Sequence, residues 1–320
     1  MPALHILAPG LFESPQPAEP CRFPALDMLL SRSDHLHQGE VGFEALLCSL
    51  FGLHAETGRD LPTAALMLLA EGGDPREHCW AAVAPAHLHV DRDRLLLAPV
   101  DPAALCSADI ARLREAFNRH FEEDGVELLT DRPRNWYLRL RQPRELSTSP
   151  LADVAGRTLD PFLPRGRDAA WLRGLMNEAQ MLLHELAIAN LNSLWFWGSG
   201  RLPAAVCCRF GKINGDNLLL RGLQAHAAPP CSGGDRLVLV DEPLLAVQRG
   251  DQQLWRRAMQ QLQEVVGDGL AALSRGEIDS ITLQDGSGGS FHFRRSMRYR
   301  WWRRPYRHQG MRPATSLMKP

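Results

Sequence analysis

No run of about 18 apolar residues occurs in this 320-residue chain, so no transmembrane helix is expected. Met1 to Gly10 lacks a basic n-region and breaks at Pro9-Gly10, so it reads as a first strand rather than a signal peptide. The seven cysteines (Cys21, Cys48, Cys79, Cys106, Cys207, Cys208 and Cys231) are odd in number and contain no C-x-x-C. That argues against a disulfide framework or a zinc ribbon and for reduced thiols in the cytoplasm. Neither a G-x-S-x-G nucleophile elbow nor a Walker sequence is present. Lysine is confined to Lys212 and Lys319, and the last 35 residues contain no acid.

What is present is an ordinary globular balance, 45% hydrophobic and 23% charged. The net charge of −1 conceals a split. Residues 286–320 hold eight Arg and one Lys, a charge of +9, so the other 285 residues carry −10. Such a tail suits either an intramolecular latch or an anionic partner.

Apolar spacing predicts strands at Leu4–Ala8, Val126–Leu129, Trp136–Leu140, Leu194–Trp197, Leu237–Asp241, Ile278–Leu283 and Ser290–Phe293. Trp80–Val83, His87–Val90 and Leu95–Ala98 read as adjacent strands, the first two separated by Pro85. Helices are predicted at 25–31, 41–51, 61–70, 107–124, 169–189 and 251–266. Helices and strands alternate, which predicts an α/β fold with a central sheet flanked by helices. Residues 1–285 read as one domain and 286–320 as a basic, aromatic tail. Residues 142–168, rich in Pro, Ser and Gly, read as a linker, a sub-domain junction or a long functional loop.

The segment Gln180–Pro203, QMLLHELAIANLNSLWFWGSGRLP, is the most informative. A helix bearing His184 leads to Asn192 and Ser193, then to an aromatic strand, then to Gly198-Ser199-Gly200 and Arg201. Glycine lets a backbone approach a ligand or adopt φ > 0, and an arginine beside it can grip a carboxylate or phosphate. Two readings fit: a buried aromatic strand followed by a tight turn, or a ligand site built from Asn192, Ser193, Trp197, Gly198, Gly200 and Arg201, with His184 reaching back. The pairs His35/His37 and His87/His89 are metal-site candidates or ordinary strand histidines. Gly286–Gly289 is a phosphate cradle or a hairpin turn.

The run Asn-Ser-Leu-Trp-x-Trp-Gly-x-Gly-Arg-x-Pro, together with Ala84–Leu97 and its His87, resembles archaeal-type cofactor-independent phosphoglycerate mutases. It is closer still to the RpfE-like bacterial family related to them. Asp241-Glu242 and Gly250-Asp251 are similar to the place where the mutases carry an Asp-Glu…His-x-Gly-Asp metal motif. The resemblance implies a reduced alkaline-phosphatase fold with a mostly parallel sheet, and in true mutases two divalent metals and a Ser or Thr nucleophile. This chain departs from that pattern: its first strand ends Ala8-Pro9-Gly10 with no Asp, and no His follows Asp241-Glu242. The expectation is therefore a non-catalytic relative with a regulatory or small-anion-binding role and no cofactor, Asp241 being the one weak metal candidate. The alternatives are a Mn- or Zn-dependent phosphomutase or phosphatase, and an interaction protein. The latter would use the Arg-rich tail, with Tyr299, Trp301, Trp302 and Tyr306, to hold nucleic acid or an acidic protein. A small anionic metabolite is the expected partner, and no membrane is.

Overall fold

A computed structural model describes residues 2–15, 21–37, 39, 41–91, 94–132, 135–227, 234–303 and 312–313. The fold is mixed α/β, with sheets flanked by helices. Contacts divide the chain into two compact units: residues 1–51, 207–217 and 228–320, and residues 52–206 with 218–227. Residues 142–168 lie wholly inside the second unit.

The first unit is built on β1 (Ala3–Leu7), flanked by β10 (Asp235–Leu239) and β11 (Ser280–Gln284), with β9 (Phe210–Asn214) beyond β10. These four strands are parallel. Two antiparallel strands, β12 (Gly289–Arg294) and then β3 (Asp34–His37), complete the order β3-β12-β11-β1-β10-β9. Alternation sends Leu4, Ile6, Ile281, Leu283, Phe291 and Phe293 to one face, where they pack with α1 (Pro24–Arg32), α8 (Glu242–Arg249) and α9 (Gln252–Arg275). In α9 the buried residues Trp255, Met259, Leu262, Val266, Gly269 and Leu273 recur every three or four positions, the spacing of one helical face. At Gly269 a Cβ would lie 2.7 Å from a Leu4 methyl, so a larger residue there would have to displace that side chain. Each fully buried Leu, Phe or Met contributes about 1.5–3 kcal/mol. α2 (Phe43–Leu50) belongs to the same unit. So do the short parallel pair β2 (Glu13–Ser14) and β13 (Arg312–Pro313).

The second unit is an antiparallel sheet whose hub is β4 (Cys79–Asp91). Ala82 faces Tyr137 of β7 (Trp136–Leu140) on one side and Trp197 of β8 (Ser193–Gly200) on the other. β6 (Val126–Leu129) pairs β7, and β5 (Arg94–Pro99) pairs Ala86–Asp91 of β4. β4 runs unbroken through Pro85, where two strands were predicted. Pairing with β7 ends at Val83 and pairing with β5 begins at Ala86, so the N–H that proline lacks falls in the gap between ladders. The helices are α3 (Thr63–Ala70), α4 (Ser107–His120), α5 (Leu151–Val154), α6 (Ala169–Leu186) and α7 (Leu218–His226). The 142–168 segment is tied down by backbone bonds between Ser147 and Arg165, Gly156 and Leu97, and Leu159 and Leu95, and it buries Leu146, Val154 and Leu159.

The described part of the basic tail is docked on its own unit. Met297 is buried in the core, Arg300 donates to the Asp34 carboxylate at 2.6 Å and to the Arg32 carbonyl at 3.2 Å, and Arg303 donates to the Ser33 carbonyl at 2.6 Å. The Arg300 guanidinium holds the Asp34 carboxyl below the usual range. Tyr306, Lys319 and Cys231 lie outside the described residues.

Candidate functional site

The aromatic strand β8 is buried from Ser193 to Ser199. α6 ends with Ala187 left-handed at φ 51° and Asn190 at φ 60°, which turns the chain toward it. Asn192 then acts as a surrogate strand: its Oδ1 accepts from the Leu88 N–H at 2.7 Å, and its Nδ2 donates to the Leu88 carbonyl at 2.8 Å. The Ser193 hydroxyl, fully buried, accepts from Gln180 Nε2 at 3.4 Å. Trp195 Nε1 donates to the Ser149 carbonyl at 2.9 Å, and Trp197 is buried.

Gly198-Ser199-Gly200 was predicted as a turn after the strand. It is a β-bulge within it: the register against β4 slips by one residue between Trp80/Gly200 and Ala82/Trp197, with Gly198 at φ +65°. A Cβ on Gly198 would sit 2.1 Å from Thr63 Oγ1, and one on Gly200 2.7 Å from Pro62. The space these glycines leave is thus filled by the first turn of α3. Directly ahead of that turn stands Asp60, which the sequence reading missed. Its carboxylate accepts from the Thr148 N–H (2.6 Å), the Thr148 hydroxyl (2.7 Å) and the Ser199 N–H (3.0 Å), while Thr148 Oγ1 accepts from the Gly198 N–H at 3.2 Å. Burial pushes the Asp60 carboxyl up, against the pull of these bonds. The one available signal was an acid two residues before a proline at a helix start. The adjoining cavity, bordered by Thr148, Trp197 and Ser199, has about 10 Å³, room for about one water. The cluster is a closed knot joining α3, the 142–168 segment and the bulge.

The other nominated residues do not converge on it. His184 and Arg201 are exposed. His87 is half-buried, its Nδ1 without a partner among the described residues, and its ring lies 6.4 Å from that of exposed His89. His35 stacks on Phe291 at 4.5 Å, and His37 is exposed.

The carboxyl ends of parallel strands are the usual ligand crevice of an open α/β sheet. In the first unit β1 ends at Ala8-Pro9-Gly10, and Gly10 abuts the α8 backbone, where a Cβ would approach Leu244 to 2.8 Å. β10 leads to Asp241, whose Oδ2 accepts from Asn217 Nδ2 at 2.7 Å. Burial raises the Asp241 carboxyl, Asn217 pulls it down and the Asp216 charge pushes it up. β11 leads to Asp285, which accepts the Ser287 and Gly289 N–H groups, each at 3.0 Å, and the Ser287 hydroxyl. Those N–H groups organise a hairpin turn and are not free to cradle a phosphate. Gly250 is the left-handed C-cap of α8, and Asp251 is the N-cap of α9, accepting from the Gln253 and Leu254 N–H groups. Among the described residues no group of three or more His, Cys, Asp or Glu is placed to hold a metal ion. The donor set does not fit a two-metal centre: each carboxylate is engaged in a local structural bond, and the Gly-Asp pair is a helix boundary.

No family model matches the chain. Two curated enzymes named 2,3-bisphosphoglycerate-independent phosphoglycerate mutase match short stretches. That of Methanosarcina acetivorans is 36% identical over 69 residues, 18% of this chain and 17% of the enzyme. That of Methanothrix thermoacetophila is 33% identical over 85 residues, 24% of this chain and 21% of the enzyme. The chain thus matches at most about a fifth of these relatives' length. Among solved structures, the cofactor-independent phosphoglycerate mutase of Thermoplasma acidophilum aligns over 92% of this chain and 89% of its own at 15% identity and a TM-score of 0.38. The PH0037 protein of Pyrococcus horikoshii aligns over 97% and 92% at 13% identity and a TM-score of 0.49. The sequence matches relate parts of this chain to cofactor-independent phosphoglycerate mutases. Among the described residues no helix is long and apolar enough to cross a membrane.

Proposed function

We propose that this chain is a non-catalytic relative of cofactor-independent phosphoglycerate mutases, of the RpfE-like bacterial kind. Its role is regulatory and it binds a small anion in the cytoplasm. The observation that supports this is the commitment of the strand-end carboxylates. Asp241 is bound by Asn217, Asp285 by its own hairpin and Asp251 by α9, and among the described residues no three His, Cys, Asp or Glu side chains gather where a metal could sit. Two-metal phosphoryl transfer needs such a gathering, because the ions clamp both the attacking and the leaving oxygen. Of the ligand-binding candidates, Arg201 and His184 are exposed and so open to a ligand from solvent.

The test is calorimetric titration of chelator-treated protein with Mn²⁺ and Zn²⁺, paired with a phosphoglycerate mutase assay. Absence of stoichiometric binding and of turnover supports the proposal. Tight binding with turnover replaces it with a metal-dependent phosphomutase or phosphatase. One observation favours a second reading, an interaction protein: Trp301 and Trp302 are 78% and 66% exposed beside arginines. Salt-sensitive binding to single-stranded nucleic acid that disappears in a W301A/W302A variant is its expected signature.

A further inference from the structure

Near the amino end of β10, on the face covered by α9, lies a cavity of about 360 Å³. That volume falls in the range of small-molecule sites. One wall comes from adjacent parallel strands: Lys212 stands opposite Arg236, and Asn214 opposite Val238. Parallel register puts Lys212 and Arg236 on the same face of the sheet, as near neighbours. The floor is apolar, from Leu4, Val238 and Ala272, and α9 adds the Asp268 carboxylate.

The remaining charges close on each other. Arg275 meets Glu277 with two bonds, Nε to Oε1 at 2.6 Å and Nη2 to Oε2 at 3.3 Å. Lys212, Asn214, Arg236 and Asp268 make no side-chain hydrogen bond or salt bridge among the described residues, though the Glu277 and Arg236 charges act on each other, as do those of Arg275 and Asp268. Lys212 and Asn214 are exposed, so the cavity is open at the β9 edge. A guanidinium fork beside an ammonium suits a dianionic phosphoryl group. An amide and a carboxylate next to them suit hydroxyl groups, one donating and accepting, the other accepting only.

We propose that this cavity binds a small hydroxylated organic phosphate, with the phosphoryl group between Lys212 and Arg236 and hydroxyls against Asn214 and Asp268. The inference stands apart from the mutase relationship. The cavity lies at the start of β10, whereas Asp241 follows its end, and mutase turnover and this binding are read by separate assays.

The experiment is calorimetric titration of the full chain with ribose 5-phosphate, ribose and inorganic phosphate. Ribose 5-phosphate is expected to bind, ribose not at all, and inorganic phosphate more weakly than the sugar phosphate. Lys212→Gln and Arg236→Gln are each expected to weaken ribose 5-phosphate at least about tenfold, the loss of one charged hydrogen bond. Arg257→Gln, on an exposed turn of α9, is expected to leave it unchanged. If Arg236→Gln unfolds, Lys212→Gln on the exposed edge strand still decides the matter. No binding of ribose 5-phosphate at millimolar concentration overturns the assignment. So does equal binding of ribose, binding that survives both substitutions, or an equal loss in Arg257→Gln.

Discussion

At the residue scale, Gly198 and His5 show how single positions are constrained by what surrounds them. Gly198 needs both its left-handed φ and its missing Cβ, because Thr63 Oγ1 occupies the place a methyl would take. Gly198→Ala is expected to destabilise the protein by about 2–4 kcal/mol, strain and overpacking together, measured by urea unfolding. His5, on β1, is held at a pKa of about 4 by burial first and by the Arg209 charge second, with His292 adding and Asp235 opposing. An imidazole lowered from 6.5 to about 4 stays neutral in the folded state while the unfolded state takes up a proton. Its stabilising contribution is therefore complete above pH 6.5 and is lost as pH falls toward 4, about 3 kcal/mol at most. In His5→Gln the stability lost between those pH values should shrink by that amount. An unchanged pH profile refutes the assignment. Asp241 has the opposite sign. Its raised carboxyl means the folded state holds its proton longer, so stability falls as pH rises above the ordinary carboxylate value. Asp241→Asn should therefore stabilise the protein near neutral pH, an advantage that fades on acidification.

At the element scale, helix ends account for residues that look catalytic in one dimension. Gly250-Asp251 is similar to half of a metal motif, yet Gly250 closes α8 and Asp251 opens α9. Asp251→Ala is expected to cost about 1 kcal/mol in thermal unfolding, the value of an N-cap, with no change in Mn²⁺ titration. A change in metal affinity without a stability loss contradicts the capping role. Thr148 is similar: the 142–168 segment passes over the bulge as a strap, and its hydroxyl bridges Asp60 and the Gly198 N–H. Thr148→Val should leave both partners short of one bond and lower stability by about 2 kcal/mol. The periodicity of β6, and of α9 as far as Val266, was readable because burial imposes one repeat on each. The run of β4 through Pro85 was not, since it depends on which partner strand stops where.

At the scale of the whole molecule, the basic tail and the acidic remainder meet in the first unit. Asp34 receives Arg300, and the end of α1 receives Arg303. These groups are partly exposed, so screening weakens them. Asp34→Ala, or high salt, should speed tryptic cleavage at the arginines of residues 294–303, and unchanged cleavage rules the latch out. The sequence by itself determined the α/β class, most helix and strand positions, the charge split and a partial likeness to the mutases. Those properties follow from local periodicity, composition and contiguous motifs. Only tertiary structure decided that Asn192 mimics a strand, that the Gly198 bulge is packed by Pro62 and Thr63, that Asp60 ties the knot, and that Lys212 and Arg236 share a cavity. Each joins residues from about 20 to more than 100 positions apart, and it is the register and packing of separate elements, which no local pattern encodes, that brings them together.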